Sequence, residues 1–164
     1  MRDEAGFTRW AQAHQRSLLR SAYLLSGDAG QAEDLVQEAL LKVALRWSRL
    51  AGENPLAYAR QIIYRDQVSW WRRRRTGERP MASVPERATQ PANQERRLLL
   101  LDALARLAPR QRQVLVMRYF DDLTEKDCAF VLGISVGTVK RAAHDALAAL
   151  RTKAPELADV LSEV

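Results

Sequence analysis

Two stretches hold side chains whose types and spacing suit non-covalent recognition of a polyanion. In VSWWRRRRTG, Val68 to Gly77, Trp70 and Trp71 are followed at once by Arg72, Arg73, Arg74 and Arg75. Guanidinium groups neutralise phosphates, and flat rings stack on unpaired bases. Taken alone, the run is equally the charged, solvated end of an ordinary helix. The second stretch is EKDCAFVLGISVGTVKRAAHDAL, in which Ser135, Gly137, Thr138, Lys140, Arg141, His144 and Asp145 face outward from one helix. Hydroxyl and backbone N–H groups at its start suit phosphate, while Lys140 and Arg141 have the length to reach base edges. Thr124, at the start of the preceding helix, is counted with this face. For His144, a solvated surface position and a DNA contact weigh equally.

Covalent chemistry finds no comparable constellation. His14 and His144 stand far apart, and Cys128 is the only cysteine, so no intrachain disulfide forms. Neither histidine sits in a metal-ligand pattern, and no phosphate-binding or dinucleotide fingerprint is present. The expectation is a protein that is not an enzyme and holds neither metal nor cofactor.

The elements that position these residues read as helices throughout, with no strand alternation and no hairpin turn. A first helix is expected from about Phe7 to Leu25, with Phe7, Trp10, His14 and Leu18 near one face. Asp28 and Gln31 then open a second, striped by Ala32, Leu35, Val36, Ala39, Leu40, Val43 and Trp47. Asp34, Gln37, Glu38 and Leu41 lie outside that stripe at i, i+3, i+4 and i+7. With Leu45 they form a polar ridge with leucines beside it, which is either a docking face for another helix or an ordinary acidic surface. Asn54-Pro55 caps a third helix that carries Leu56, Ala59, Ile63 and Trp70 on one line and runs into the arginines. Trp70 is therefore expected in the core. Trp71 falls with Tyr64 and Val68, nearer the edge.

Residues 76–93, rich in proline, read as a flexible linker between a first helical domain, 1–75, and a second, 94–164. The second is expected to open with Asn93 as a cap, restart at Ala108-Pro109, and end in a helix-turn-helix. There Thr124 to Asp127 forms a capping box, and Gly133 takes the positive φ of the turn. Cys128, Leu132, Ile134, Val139 and Ala142 fill the seam, and Ser135 caps the second helix. The tail carries Leu157, Val160, Leu161 and Val164 at helical spacing after Pro155.

Charge follows the same division. The net +6 is almost all in the first half: residues 1–75 carry 13 Lys/Arg against 8 Asp/Glu, and residues 95–164 carry 11 against 10. A basic first half favours a polyanionic partner. The amino terminus lacks a signal-peptide core, and the longest leucine run, Leu98 to Leu101, is too short to span a bilayer. These features lead to the expectation of a soluble, cytoplasmic protein.

Three passages together resemble the bacterial extracytoplasmic-function (ECF) sigma factors, small two-domain specificity subunits of RNA polymerase. AEDLVQEALLKV resembles the family's polymerase-binding helix. NPLAYARQIIYRDQVSWWRRRR resembles the segment that melts and reads the minus-ten element, and LAPRQRQVLVMRYFDDLTEKDCAFVLGISVGTVKRAAHDALAALR its minus-thirty-five reader. The resemblance implies an all-α protein of two small domains that binds core RNA polymerase and promoter DNA, and it leaves room for an anti-sigma factor. It places polymerase contacts at Asp34, Gln37, Glu38 and Leu41. DNA contacts fall at Asn54, Tyr58, Gln61, Arg65, Trp71 and Arg72 to Arg75, then at Thr124, Ser135, Gly137, Thr138, Lys140, Arg141 and His144. Arg65 stands where many members have asparagine, and Asp145 where many have arginine, so the second domain alone should bind DNA weakly. A DNA-binding regulator that works without polymerase, and a sigma-like scaffold that sequesters a partner, are the alternatives.

Overall fold

A computed structural model describes residues 3–75 and 91–162, with side chains described for 3–68 and 93–158. Every regular element among them is an α-helix. The chain divides into two compact units, Met1–Ser83 and Val84–Val164.

In the first unit α1 spans Glu4–Ser26, α2 Ala29–Leu45, α3 Trp47–Leu50 and α4 Pro55–Arg75. Local chemistry sets their starts. Asp28 accepts the Gln31 N–H at 2.9 Å, and Asn54 accepts that of Ala57 at 3.0 Å. Each satisfies one of the donors that a helix leaves unpaired in its first turn. The core is the meeting of three apolar faces: Leu18, Ala22 and Leu25 of α1, Leu35, Val36, Ala39 and Val43 of α2, and Ala59, Ile62 and Ile63 of α4.

Two expectations are corrected here. Trp47 does not continue α2. The helix breaks at Arg46, whose N–H turns back to the Val43 carbonyl at 3.0 Å, and Trp47 opens α3. The break brings the indole against Phe7 and Trp10, with ring centroids 5.7 and 5.8 Å away, and Trp47 stays buried. Also, α1 starts at Glu4 rather than Phe7, because Asp3 caps it.

Asp3 performs two tasks. Its carboxylate accepts the Gly6 N–H at 2.9 Å and the Trp47 indole N–H at 3.1 Å, tying α1 to α3. The carboxylate sits close over Gly6: a Cβ at position 6 would lie 2.0 Å from it, so any larger residue there makes the Asp3 side chain shift. The indole bond first, and the Gly6 N–H second, hold the Asp3 carboxyl below its ordinary value. A lowered folded-state pKa gives stability that is present above the ordinary carboxylate range. It is lost as pH falls through the lowered value. Asp3→Asn keeps an oxygen acceptor but cannot titrate. Melting temperature against pH should therefore fall less steeply for the variant below about pH 4; coincident acid limbs would contradict this role.

In the second unit α5 spans Pro91–Ala105, α6 Pro109–Tyr119, α7 Glu125–Leu132, α8 Val136–Lys153 and α9 Pro155–Ser162. Helix α5 begins two residues before Asn93, which is inside it and not its cap; Pro91 suits a first turn, where a missing N–H costs nothing. The core joins Leu104 and Leu107 to Val114 through Met117 of α6, Cys128 of α7, and Val139, Ala146 and Leu150 of α8. At its centre Arg112, 2% exposed, donates to the carbonyls of Leu104 (2.7 Å), Ala105 (3.3 Å) and Leu107 (3.1 Å). A buried cation thus satisfies the carbonyls at the end of α5 and favours the negative end of that helix. Helix α9 packs on α8 with Ala158 fully buried. No described helix is long and apolar enough to cross a membrane.

Candidate docking ridge and nucleic-acid interface

Burial of Leu35, Val36, Ala39 and Val43 turns the opposite side of α2 outward. Asp34, Gln37 and Glu38 are exposed on it, next to Leu41 at 55% and Leu45 at 78% exposure. Two leucines left so open beside three polar groups form a face suited to docking. Glu38 is not isolated. Lys42 Nζ lies 3.1 Å from its carboxylate and 3.4 Å from that of Asp66 on α4. The bond to Glu38, with the Asp66 charge assisting, raises the Lys42 pKa against a smaller desolvation effect.

On α4, Asn54, Tyr58, Gln61 and Arg65 follow at i, i+4, i+7 and i+11, one stripe of a helix. Asn54 and Arg65 are exposed, and Tyr58 and Gln61 half-buried. The Asn54 side chain is engaged in capping. Tyr58 is held by Arg46, which donates to the phenol oxygen and stands 5.4 Å from the ring centroid. Tyr64, expected nearer the edge with Trp71 and Val68, is instead 1% exposed, so its ring offers no stacking surface. The backbone of α4 continues to Arg75, while the expectations for Trp70, Trp71, Arg72, Arg73, Arg74 and Arg75 rest on side chains outside the described residues.

In the second unit α7 and α8 form the expected helix-turn-helix. Thr124 accepts the Asp127 N–H at 3.1 Å, and the Asp127 carboxylate accepts the Thr124 N–H at 3.3 Å and hydroxyl at 2.7 Å. Gly133, at φ 65°, ends α7 in the left-handed region that favours glycine. Ser135 then caps α8 by accepting the Thr138 N–H at 3.1 Å. Cys128 and Val139 are fully buried in the seam, with Ala142 nearly so, while Leu132 and Ile134 are half-buried. Burial pushes the Cys128 thiol up to about 11, which makes it a packing group and not a nucleophile.

That packing brings Ser135, Gly137, Thr138, Lys140, Arg141, His144 and Asp145 to the exposed side of α8, with Thr124 exposed at the start of α7. The geometry refines their roles. The Ser135 and Thr138 hydroxyls bond each other at 2.8 Å, and the Thr138 N–H is used by the cap. The N–H groups of Val136 and Gly137, in the first turn, are the ones an α-helix leaves for an anion. Lys140 lies 3.8 Å from Glu125, so its ammonium is aligned along the pair of helices while 64% of its side chain stays exposed. Arg141 offers a guanidinium at the same surface, and Asp145 places a negative charge one turn on.

Sequence reasoning missed three partners of the first unit's surface: Arg46 on Tyr58, and the Lys42–Asp66 pair behind Glu38. Only the i, i+4 spacing of Glu38 and Lys42 signalled any of it.

Comparison with known proteins gives consistent matches. The family model described as Sigma-70 region 2 matches residues 10–76, and that described as Sigma-70, region 4 matches residues 97–150. The chain is 37% identical over 148 residues to an RNA polymerase sigma-E factor of Streptomyces avermitilis, covering 88% of this chain and 83% of that protein. It is 35% identical over 153 residues to the ECF RNA polymerase sigma factor SigL of Mycobacterium tuberculosis, covering 88% and 86%. Among solved structures it is similar to the sigma factor RpoE from Bartonella quintana, determined in complex with the anti-sigma factor NepR. The TM-score is 0.73 at 24% identity, over 89% of this chain and 94% of that one. CnrH, in complex with the cytosolic domain of CnrY, gives 0.66 at 19% identity, over 89% and 85%. At that identity the two structures speak to the fold.

Proposed function

The chain belongs to the extracytoplasmic-function RNA polymerase sigma factors, and on that premise we propose how its surfaces divide the work. It is a sigma factor that directs promoter-specific transcription by RNA polymerase. The first domain, residues 1–75, docks on core polymerase through Asp34, Gln37, Glu38 and Leu41. It engages the minus-ten region through the segment Asn54 to Arg75. The second, residues 94–164, presents Thr124 and the Ser135 to Asp145 face to the minus-thirty-five region, and residues 76–93 join the two. The protein works in the cytoplasm as a specificity subunit with no bond-making chemistry of its own. An anti-sigma factor, as NepR is for the structurally similar RpoE, is a candidate further partner.

The observation that carries this assignment is the ridge. Three polar side chains and two widely exposed leucines stand on one side of a helix whose other side is core. An independent DNA-binding regulator has no use for such a face. The near-neutral second half and the exposed Asp145 favour one competing reading, a sigma-like scaffold that binds polymerase without initiating. Pull-down with core polymerase separates the regulator from the other two, because only the regulator would bind specific DNA while failing to bind polymerase.

The arginine assignment has its own test. Each phosphate contact releases counterions, so the logarithm of affinity falls with the logarithm of salt in proportion to the number of contacts. If Arg65 and Arg72 to Arg75 all meet phosphate, raising salt from about 50 to 200 mM weakens the promoter complex on the order of a hundredfold or more. A flat response in a salt-titrated gel-shift with the holoenzyme counts against those arginines.

A further inference from the structure

We propose that Asp66 is a positioning residue for polymerase docking: from α4 it shares Lys42 with Glu38, and so keeps the Glu38 carboxylate from being neutralised by its own helix. This inference rests on the docking role assigned above to the α2 ridge. Lys42 and Glu38 are at i and i+4 on α2, the spacing at which a lysine ordinarily settles on a glutamate. Lys42 is here placed between two carboxylates, 3.1 Å from Glu38 and 3.4 Å from Asp66. The distances are nearly equal, and an ammonium has three donors, so neither acid holds it alone. The trio carries a net charge of −1, and that surplus is on the side of α2 that faces outward.

The alternative arrangement is easily described. Without the Asp66 charge, Lys42 has one acidic partner, Glu38, and the pair sums to zero. A cationic group arriving from polymerase would then have to displace Lys42 before it met a carboxylate. Glu38 is about half exposed and Asp66 one-third exposed, so water and salt moderate the effect without removing it. The same geometry links two functions. A residue of the helix assigned to the minus-ten element sets the charge of the polymerase-facing ridge on its neighbour.

The test is the affinity of the full chain for core RNA polymerase, without DNA, by fluorescence anisotropy at physiological salt. Asp66→Asn should weaken binding by about two- to fivefold, the range for partly exposed ion pairs. Asp66→Glu should restore it. Lys42→Met should tighten binding by a similar factor, and adding Asp66→Asn to Lys42→Met should change nothing further. A purely structural brace between α2 and α4 gives the opposite sign, with Lys42→Met weakening binding. A simple surface-charge effect gives an equal loss from Asp66→Asn with Lys42 or methionine at position 42. Either result overturns the proposal while leaving the ridge assignment intact. Glu38→Gln is the separate control. If it binds as tightly as wild type, the role of Glu38 in the ridge fails, and this inference fails with it.

Discussion

Replacing Asp34 and Glu38 together with lysine is expected to abolish binding to core polymerase while leaving the helices folded. Both side chains are exposed, and neither contributes to the Leu35, Val36, Ala39 and Val43 seam that holds α2. Exposed substitutions of this kind usually stay within about 0.5 kcal/mol of wild-type stability. The loss of the Glu38–Lys42 pair is partly offset, because Lys42 keeps Asp66. Binding is a different matter. Two attractive contacts become repulsive ones at the centre of a docking face, and truncating even one such partner costs about 2–5 kcal/mol. The affinity should fall by at least about a hundredfold, with most of the change in dissociation rate. Binding at wild-type affinity, with an unchanged circular-dichroism melt, would remove α2 as the docking element.

The largest effect on stability is expected at Arg112. Methionine there would retain the apolar stem and lose the guanidinium, leaving the carbonyls of Leu104, Ala105 and Leu107 short of their donor. The Leu104 carbonyl keeps the Leu107 N–H at 3.1 Å and Ala105 is open to water, so the Leu107 carbonyl depends most on the guanidinium, and a buried acceptor left unsatisfied costs about 1–3 kcal/mol of a small domain's narrow margin. We expect a destabilisation of about 1–3 kcal/mol for the second unit. It would be read as early loss of amide protection in α5 to α8 by hydrogen exchange on the full chain. Arg112→Lys should recover little, because three carbonyls around one site match the planar fork of arginine and not a point charge. Wild-type protection in Arg112→Met would show that the carbonyls find other donors.

The α2 ridge and the buried Arg112 differ in how far the sequence foretells them. The ridge follows from helical phasing alone: once Leu35, Val36 and Ala39 are inside, Asp34, Gln37 and Glu38 have nowhere to point but out. Capping at Asp28, Asn54, Thr124 and Ser135, and the turn at Gly133, are legible for the same reason, since each depends on neighbours within four residues. Arg112 was not legible. Within PRQRQ it looks like one more solvated cation, and it is buried only because the end of α5 lies over it.

Tyr64 failed for a related reason. Helix α4 packs against both α1 and α2, so its buried arc takes in Ile62, Ile63, Tyr64 and Gln67, wider than a single line of apolar residues suggests. Gln67 shows the consequence of that depth. Its amide donates to the Leu25 carbonyl at 3.2 Å, and its own oxygen is buried without a protein partner. Contacts over long sequence separation, such as Asp3 with Trp47, Arg46 with Tyr58 and Lys42 with Asp66, leave no periodic trace for sequence to show.

As a sigma factor, this chain should give core polymerase a promoter preference it otherwise lacks. The most direct measurement is run-off transcription from a randomised promoter library by core enzyme with and without the protein. Transcripts should appear only with the protein. Their templates should share two short elements, one near minus ten and one near minus thirty-five. Stable binding to core enzyme with no selected template would contradict it, and would make the near-neutral helix-turn-helix with its Asp145 the mark of a scaffold.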